Sequence, residues 1–289
     1  MPRQDRAWVA RLTAGEQVAL AQSEEFFQSP DGRLRKMLSR VSRPFDALLR
    51  ATPQGFQDAV GNTLHGVLTT VATGAEGGDY QRDLVDLICA RSGQELDPWQ
   101  RIFTVDLAVL ESIANSKIRS AKGMAVVQGG LTGLGGAPGL LADIPTLYFL
   151  LFRTVHQVAL CFGHPADNDA ERRYLLQVVN AGHHLEWRDR RCALMELDAL
   201  EAQVEDRNSS SEDMQRTLLA KSVQQLAKKL AATLVTRKAA QTVALVGGAV
   251  GAVINRQLLD DVGQASFHAY RRRFLYGVAE ARVGKRPKG

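Results

Sequence analysis

Residues 123–142 read Gly-Met-Ala-Val-Val-Gln-Gly-Gly-Leu-Thr-Gly-Leu-Gly-Gly-Ala-Pro-Gly-Leu-Leu-Ala, and Asp143-Ile144-Pro145 follow directly. This run contains no charged side chain, and seven of its twenty residues are glycine. Each glycine inside a helix costs about 1 kcal/mol relative to alanine. We therefore expect the run to be compensated by close backbone approach, either to another helix or to lipid.

A second uncharged run, residues 239–255, has a matching layout. Both runs space glycines four residues apart, which places them on one helical face where backbones can approach closely. Each run then ends in a short polar residue, Asp143 or Asn255, and leads into an arginine-bearing helix. We interpret the two runs as a pseudo-repeat whose members pack together. The spaced glycines are Gly129 and Gly133, Gly135 and Gly139, and Gly247 and Gly251.

Helix signals dominate the rest of the chain. Thr13 and Glu16 form a capping box, and Gly93 and Gly163 are typical helix stop signals. No stretch shows sustained alternation of period two, so strands are not expected. The sequence predicts an all-α fold, a multi-helix bundle with the two glycine-rich apolar segments packed centrally. Helices are expected to start near Pro44, Pro53, Asp97-Pro98, Ile144, Glu171, Glu186, Glu212 and Gln257.

The expected organisation has three parts. Residues 1–95 form an N-terminal helical region and residues 96–281 a helical core, continuous with it as one domain. Residues 282–289 form a basic disordered tail. Neither uncharged run makes a good transmembrane span: the first has seven glycines and Pro138, and the second is short, against the roughly 20 apolar residues needed. A protein-buried or membrane-surface role is favoured over insertion.

The positive charge of the chain is concentrated at its end. Residues 271–289 carry +6 and the rest of the chain −1, out of a total of +5. This distribution argues against nucleic acid binding and fits either a solubilising end or a surface for anionic lipid. The basic cluster comprises Arg271, Arg272, Arg273, Arg282, Lys285, Arg286 and Lys288.

Cysteine usage and the N-terminus point to the cytoplasm. Three widely spaced cysteines form no disulfide framework, which fits a reducing compartment. The N-terminus lacks the apolar run of a signal peptide. Adjacent His183 and His184 point about 100° apart on a helix, unlike a zinc-binding pair, so neither a metal nor a cofactor is expected. No known nucleophile, phosphate-loop or dinucleotide motif is present, which leaves enzymatic activity uncertain.

Two places could nevertheless carry chemistry. Asp143 reads either as the N-cap of the helix containing Pro145 or as a buried acid with a perturbed pKa. Thr146, Arg153 and His156 form a polar stripe on an otherwise apolar helix. Arg153 needs an anionic partner there, either a carboxylate in an ion pair or a lipid phosphate. The candidate carboxylates are Asp143, Asp260 and Asp261.

The first uncharged run, from Gly129 through Leu147, resembles the central signature of the EcsC family, and the resemblance continues through Arg153, Phe162-Gly163 and Glu171-Arg172. Residues 246–255, followed by Tyr270 to Leu275, resemble the C-terminal block of that family. The resemblance covers roughly residues 100–280, with none in the first hundred. It implies a bacterial protein, associated in some genomes with an ABC-transporter operon, whose activity is not established. It suggests a shared site at Asp143, Pro145, Arg153, Glu171, Arg172, Asn255 and Arg273.

We therefore expect a membrane-associated accessory protein, peripheral at the cytoplasmic face of a bacterial membrane, that binds anionic lipid or a membrane protein. One alternative is a hydrolase-like enzyme on a lipid or apolar substrate, with Asp143 and His156 as acid and base and Arg153 on a phosphate. A second is a soluble cytosolic scaffold. The ligand or phosphate candidates are Arg153, Thr146, Glu171, Arg172, Asn255 and Arg273.

Overall fold

The computed structural model describes residues 6–28, 54–73, 78–97, 99–132, 136–184, 187–205, 212–243 and 247–284. This part of the chain is helical and contains no strand, which confirms the all-α fold. Two short 3-10 helices, Arg6–Arg11 and Trp99–Thr104, accompany the α-helices. The α-helices are α1 Ala14–Gln28, α2 Gln54–Ala72, α3 Gly78–Ser92, α4 Leu107–Thr132, α5 Gly136–Cys161, α6 Asp169–His183, α7 Trp187–Glu205, α8 Glu212–Val243 and α9 Gly247–Ala281.

Local stop and start signals act as the sequence predicts. The Thr13 amide donates to the Glu16 carboxylate at 2.7 Å, and the Glu16 amide donates to the Thr13 hydroxyl at 3.3 Å, which completes the capping box. Gly163 follows α5 at φ +85°, and the His164 amide donates to the Ala159 carbonyl, as in a Schellman motif. Gly93 likewise has a positive φ of +68° just after α3. The helix expected near Pro44 lies outside the described residues.

Three helix starts differ from the predictions. The helix expected at Asp97-Pro98 begins instead at Leu107, where the Asp106 carboxylate accepts from the Ala108 amide at 2.8 Å. α5 begins at Gly136 rather than near Ile144, and α9 begins at Gly247 rather than near Gln257. Both uncharged runs are therefore largely helical, despite the low helix propensity of glycine.

The antiparallel pair α4 and α9 forms the longest contact in the bundle. Glu111 meets Arg271 near one end of the pair, and Lys122 bonds Asp260 at 2.7 Å further along. Between them, Gly263 faces Ile118 so closely that an added Cβ would lie 2.8 Å from its side chain.

One close approach of a glycine to a neighbouring helix backbone lies outside the uncharged runs. A Cβ on Gly182 of α6 would stand 2.5 Å from the Cα of Val262 in α9, so only glycine fits there. Gly123 and Gly130, which belong to the first run, have open space around them instead. The close approach expected of the first run is thus absent at these two positions. Gly133 and Gly135 lie outside the described residues.

The core extends through helices from both expected regions. Buried side chains from Trp8 and Leu20 to Leu110, Phe152 and Phe274 belong to one hydrophobic cluster. Within the described part of the chain, one helical segment, Asp143–Cys161, is long and apolar enough to cross a membrane, and 61% of it is buried in the protein. A core helix meets the same criteria, so this length and composition are weak evidence for a span.

Candidate functional site

Helix α9 carries three consecutive arginines that together reach four other helices. Successive residues on a helix point about 100° apart, so the side chains diverge. Arg271 donates to the Glu111 carboxylate of α4 and to the Ser23 hydroxyl of α1, both at 2.8 Å. Arg272 pairs with Asp198 and Glu201 of α7, and Arg273 pairs with Glu171 of α6. The arginine triplet therefore connects α9 with α1, α4, α6 and α7.

The Arg273–Glu171 pair is the most deeply buried of these contacts. Two parallel hydrogen bonds of 2.7 Å join the groups, and their side chains are 3% and 2% exposed. Burial alone would lower the pKa of Arg273, but the Glu171 charge and hydrogen bonds hold it above its ordinary value. The guanidinium also lies over the Tyr174 ring at 4.4 Å. Burial, followed by the charge of Glu201, raises the pKa of the Tyr174 hydroxyl.

These contacts correct the predicted basic cluster. Arg271 and Arg273 are buried and Arg272 is half-buried, so the triplet stabilises the interior and is not available to a lipid surface. Arg282 donates to Glu16 at 2.7 and 2.8 Å. Lys285, Arg286 and Lys288 lie outside the described residues. Glu171 and Arg273, predicted as ligand-binding candidates, bind each other.

Asp143 lies inside α5, seven residues after its first residue, so the predicted N-cap role is wrong. Its carboxylate is buried, as the alternative interpretation required. One oxygen accepts from the Gln128 amide of α4 at 2.8 Å, and the other accepts from the Asn255 amide of α9 at 3.0 Å. The polar residues that close the two uncharged runs are thus in direct contact. We call Asp143, Gln128 and Asn255 the amide–carboxylate bridge.

A second cluster of polar groups surrounds His156 in the C-terminal half of α5. Its Nε2 accepts from the Ala166 amide at 3.4 Å, so its Nδ1 carries the proton and donates to the Tyr80 hydroxyl at 2.5 Å. Gln81 also approaches Nε2 at 3.4 Å. Burial, assisted by the positive charge of Arg172, lowers the pKa of His156 to about 4. The imidazole is therefore neutral at physiological pH.

Arg153 is exposed and lies over the Tyr80 ring at 5.0 Å. The predicted ion pair is wrong, because Arg153 has no carboxylate partner among the described residues. Thr146, predicted on the same stripe, is exposed. The three candidate carboxylates bind elsewhere: Asp143 in the amide–carboxylate bridge, Asp260 to Lys122 and Asp261 to Gln257.

The structure separates the proposed acid and base. Asp143 and His156 are thirteen residues apart on α5, which corresponds to about 20 Å along a helix. They cannot act on one substrate atom together. The described residues also hold no group of three or more metal-ligating side chains. This separation therefore does not support the hydrolase-like mechanism with Asp143, His156 and Arg153.

A buried hydrogen bond and a cavity had no signal in the sequence. Tyr148 and His183 form a buried hydrogen bond of 2.6 Å between α5 and α6. A cavity of about 860 Å³ lies between the starts of α1 and α4 and the end of α9. Its walls carry both signs of charge, with Glu16, Asp106 and Glu111 opposite Arg282. Apart from Arg282, it contains none of the predicted site residues.

Comparison with known proteins covers most of the chain. The chain is 26% identical over 240 residues to the uncharacterized protein YdbA of Bacillus subtilis (strain 168). The aligned residues cover 82% of this chain and 84% of that relative. No solved structure matches. The sequence profile of the EcsC protein family matches residues 19–275. The match therefore begins within α1, and the expectation that the first hundred residues lie outside it is wrong. The chain belongs to the EcsC protein family.

Proposed function

We propose that this protein is a membrane-associated accessory protein that contacts anionic lipid through its uncharged end. This uncharged end comprises residues 123–142 and 239–255, where α4 leads to α5 and α8 leads to α9. The observation that carries the proposal is a group of large apolar side chains that are exposed there. They are Met124 at 50%, Val126 at 36%, Val127 at 64% and Val253 at 57% exposure.

The length of the uncharged end suits one leaflet. From Gly136 to Asp143, α5 rises about 10 Å, and from Gly247 to Asn255, α9 rises about 12 Å. Half of a bilayer hydrocarbon core is about 15 Å thick. The end can therefore enter one leaflet without crossing the membrane. The amide–carboxylate bridge lies within this end and keeps the buried Asp143 carboxylate hydrogen-bonded.

The charges that flank the two runs favour anionic headgroups. Lys122 precedes the first run, Lys238 precedes the second and Arg256 follows it. Asp143, the remaining flanking charge, is buried. Lys122 is paired with Asp260, so exposed Arg256 is the described cation that replaces the arginine triplet as the support for lipid binding. Such a cation can reach the headgroup layer while the apolar residues enter the lipid, and it contributes about 1 kcal/mol near an anionic surface.

Vesicle flotation tests the proposal. We expect the protein to float with phosphatidylglycerol vesicles at low salt and less with phosphatidylcholine vesicles. Val253→Glu should lower partition about tenfold, because moving a carboxylate into lipid costs more than 1 kcal/mol. Val18→Glu is the matched control, since Val18 is also 57% exposed but lies on α1, outside the uncharged end.

Two outcomes would contradict the proposal. Equal partition of Val253→Glu and Val18→Glu would show that the uncharged end does not contact lipid. Absence of the wild-type protein from both vesicle types would favour a soluble scaffold or a membrane-protein partner over lipid.

Arg256→Gln should weaken the partition at low salt only, because screening removes its contribution at high salt.

A further inference from the structure

An unbroken series of contacts links two arginines on the surface of the helical body. Arg153 lies over the Tyr80 ring, whose hydroxyl bonds His156. His156 accepts from the amide of Ala166, and the Ala166 carbonyl accepts from Arg172 Nε at 3.2 Å. Elements far apart in sequence, α3, α5 and the start of α6, thus bring these groups together. The two guanidinium groups stand at opposite ends of the series.

Both arginines keep donors available. Arg153 makes no hydrogen bond or ion pair within the described part of the chain, although it is held over Tyr80. Arg172 uses Nη1 for Asp169 at 3.1 Å and Nε for Ala166, which leaves Nη2 without a partner among the described residues. Asp169 offsets one of the two positive charges, and neutral His156 adds none.

The platform beneath Arg153 is rigid. Tyr80 is fixed by the short bond to His156, and the imidazole is fixed in one tautomer by Ala166. A guanidinium stacked on an aromatic ring keeps its N–H edge free for a planar or tetrahedral oxyanion. Arginine binds such groups through two parallel charge-assisted hydrogen bonds.

We propose that Arg153, held over the Tyr80 ring, forms a binding site for a phosphate-class oxyanion, with Arg172 contributing positive charge from the other end of the series. Of the six ligand candidates predicted from the sequence, Arg153 and Arg172 are brought into this one series of contacts. Glu171 and Arg273 bind each other, and Asn255 binds Asp143. Arg153 is a binding residue, and Tyr80 and His156 position it.

The geometry assigns the oxyanion to a soluble molecule rather than to a lipid headgroup. Arg153 lies ten residues beyond Asp143 on α5, which is about 15 Å along the helix axis. The headgroup layer extends only about 5–8 Å beyond the hydrocarbon core. With the uncharged end in one leaflet, Arg153 therefore stands outside that layer. This choice of source rests on the proposed function, whereas the site itself does not.

Titration of the full-length protein with inorganic phosphate, without vesicles, tests the site. The readout is the pKa of His156, followed by NMR of its imidazole. A bound oxyanion offsets the field of Arg172, so phosphate should raise this pKa from about 4. Arg153→Gln should weaken phosphate binding about tenfold, as expected for the loss of one bidentate contact. Arg119→Gln, at an exposed arginine on α4, should leave it unchanged.

Three results would overturn the inference. Phosphate could leave the His156 pKa unmoved, or bind Arg153→Gln as well as it binds the wild type. In a parallel flotation experiment, Arg153→Gln should keep wild-type partition to phosphatidylglycerol vesicles. Loss of that partition would assign the oxyanion to a lipid headgroup. Failure of wild-type flotation together with intact phosphate binding would reject the proposed function and retain the site.

Discussion

The two ends of the α4–α9 pair use opposite chemistry. Towards the end of α9, the arginine triplet is tied to carboxylates on α4, α6 and α7. Over residues 123–132 of α4 and 247–255 of α9, the same helix pair carries no charge and exposes valine and methionine. In this helix pair, the charged end is therefore internal structure, whereas the uncharged end exposes apolar side chains. A functional surface is better sought at the uncharged end than at the basic C-terminal sequence.

The largest expected effect tests whether the charged end is structural. Glu171→Gln should lower the free energy of unfolding by about 3–5 kcal/mol, because it leaves the Arg273 charge buried without its partner. Glu196→Gln is the control: its pair with Lys229 is 55% and 50% exposed, so the change should stay within about 0.5 kcal/mol. Chemical denaturation measures both. A small effect of Glu171→Gln would remove the distinction between the two ends.

Glycine substitutions compare how tightly the helices are packed in the two regions. Gly182→Ala should destabilise the fold by about 1–3 kcal/mol, because the new Cβ would overlap the α9 backbone at Val262. Gly123→Ala, at the edge of the uncharged end, should be neutral or stabilise by up to about 1 kcal/mol, since open space surrounds it. Thermal unfolding of the two variants compares them directly. The reverse order would show that the uncharged run is the tightly packed region.

Acid should lower the free energy of unfolding, because two histidines in the fold have a lowered pKa. Burial, followed by nearby arginines, lowers the pKa of His156 to about 4 and that of His268 to about 3, from 6.5. Below pH 6.5 the unfolded chain therefore binds more protons than the folded protein. The free energy of unfolding is unaffected by these histidines above pH 6.5 and falls as the pH decreases towards 4. We expect a loss on the order of 1–2 kcal/mol from His156, allowing for its partial exposure. His156→Gln should flatten this part of the pH profile; an unchanged slope would contradict it.

The sequence predicts the features that depend on neighbouring residues. The Thr13–Glu16 capping box and the stops at Gly93 and Gly163 are local, and all three are present. The repeated layout predicted that the two uncharged runs pack together, and Asp143 and Asn255 at their ends, 112 residues apart, are in contact. These predictions needed only spacing and residue type.

Long-range pairing could not be predicted in the same way. The partners of Arg271 and Arg273 lie 160 and 102 residues earlier, and a run of arginines has the same appearance whether it is exposed or paired. The start of α5 was misplaced because an aspartate before a proline is typical of a helix N-terminus, yet Pro145 lies inside the helix. Packing against neighbouring helices, which local spacing does not reveal, decides such cases.

The depth of a spin label tests most directly whether the uncharged end contacts lipid. Val253→Cys and Val18→Cys would be labelled in a background lacking the exposed Cys192 and half-buried Cys89. With phosphatidylglycerol vesicles, the label at residue 253 should gain access to oxygen and lose access to a polar nickel complex, while the label at residue 18 stays in water. Equal access of the nickel complex to both labels on vesicle-bound protein would contradict the account.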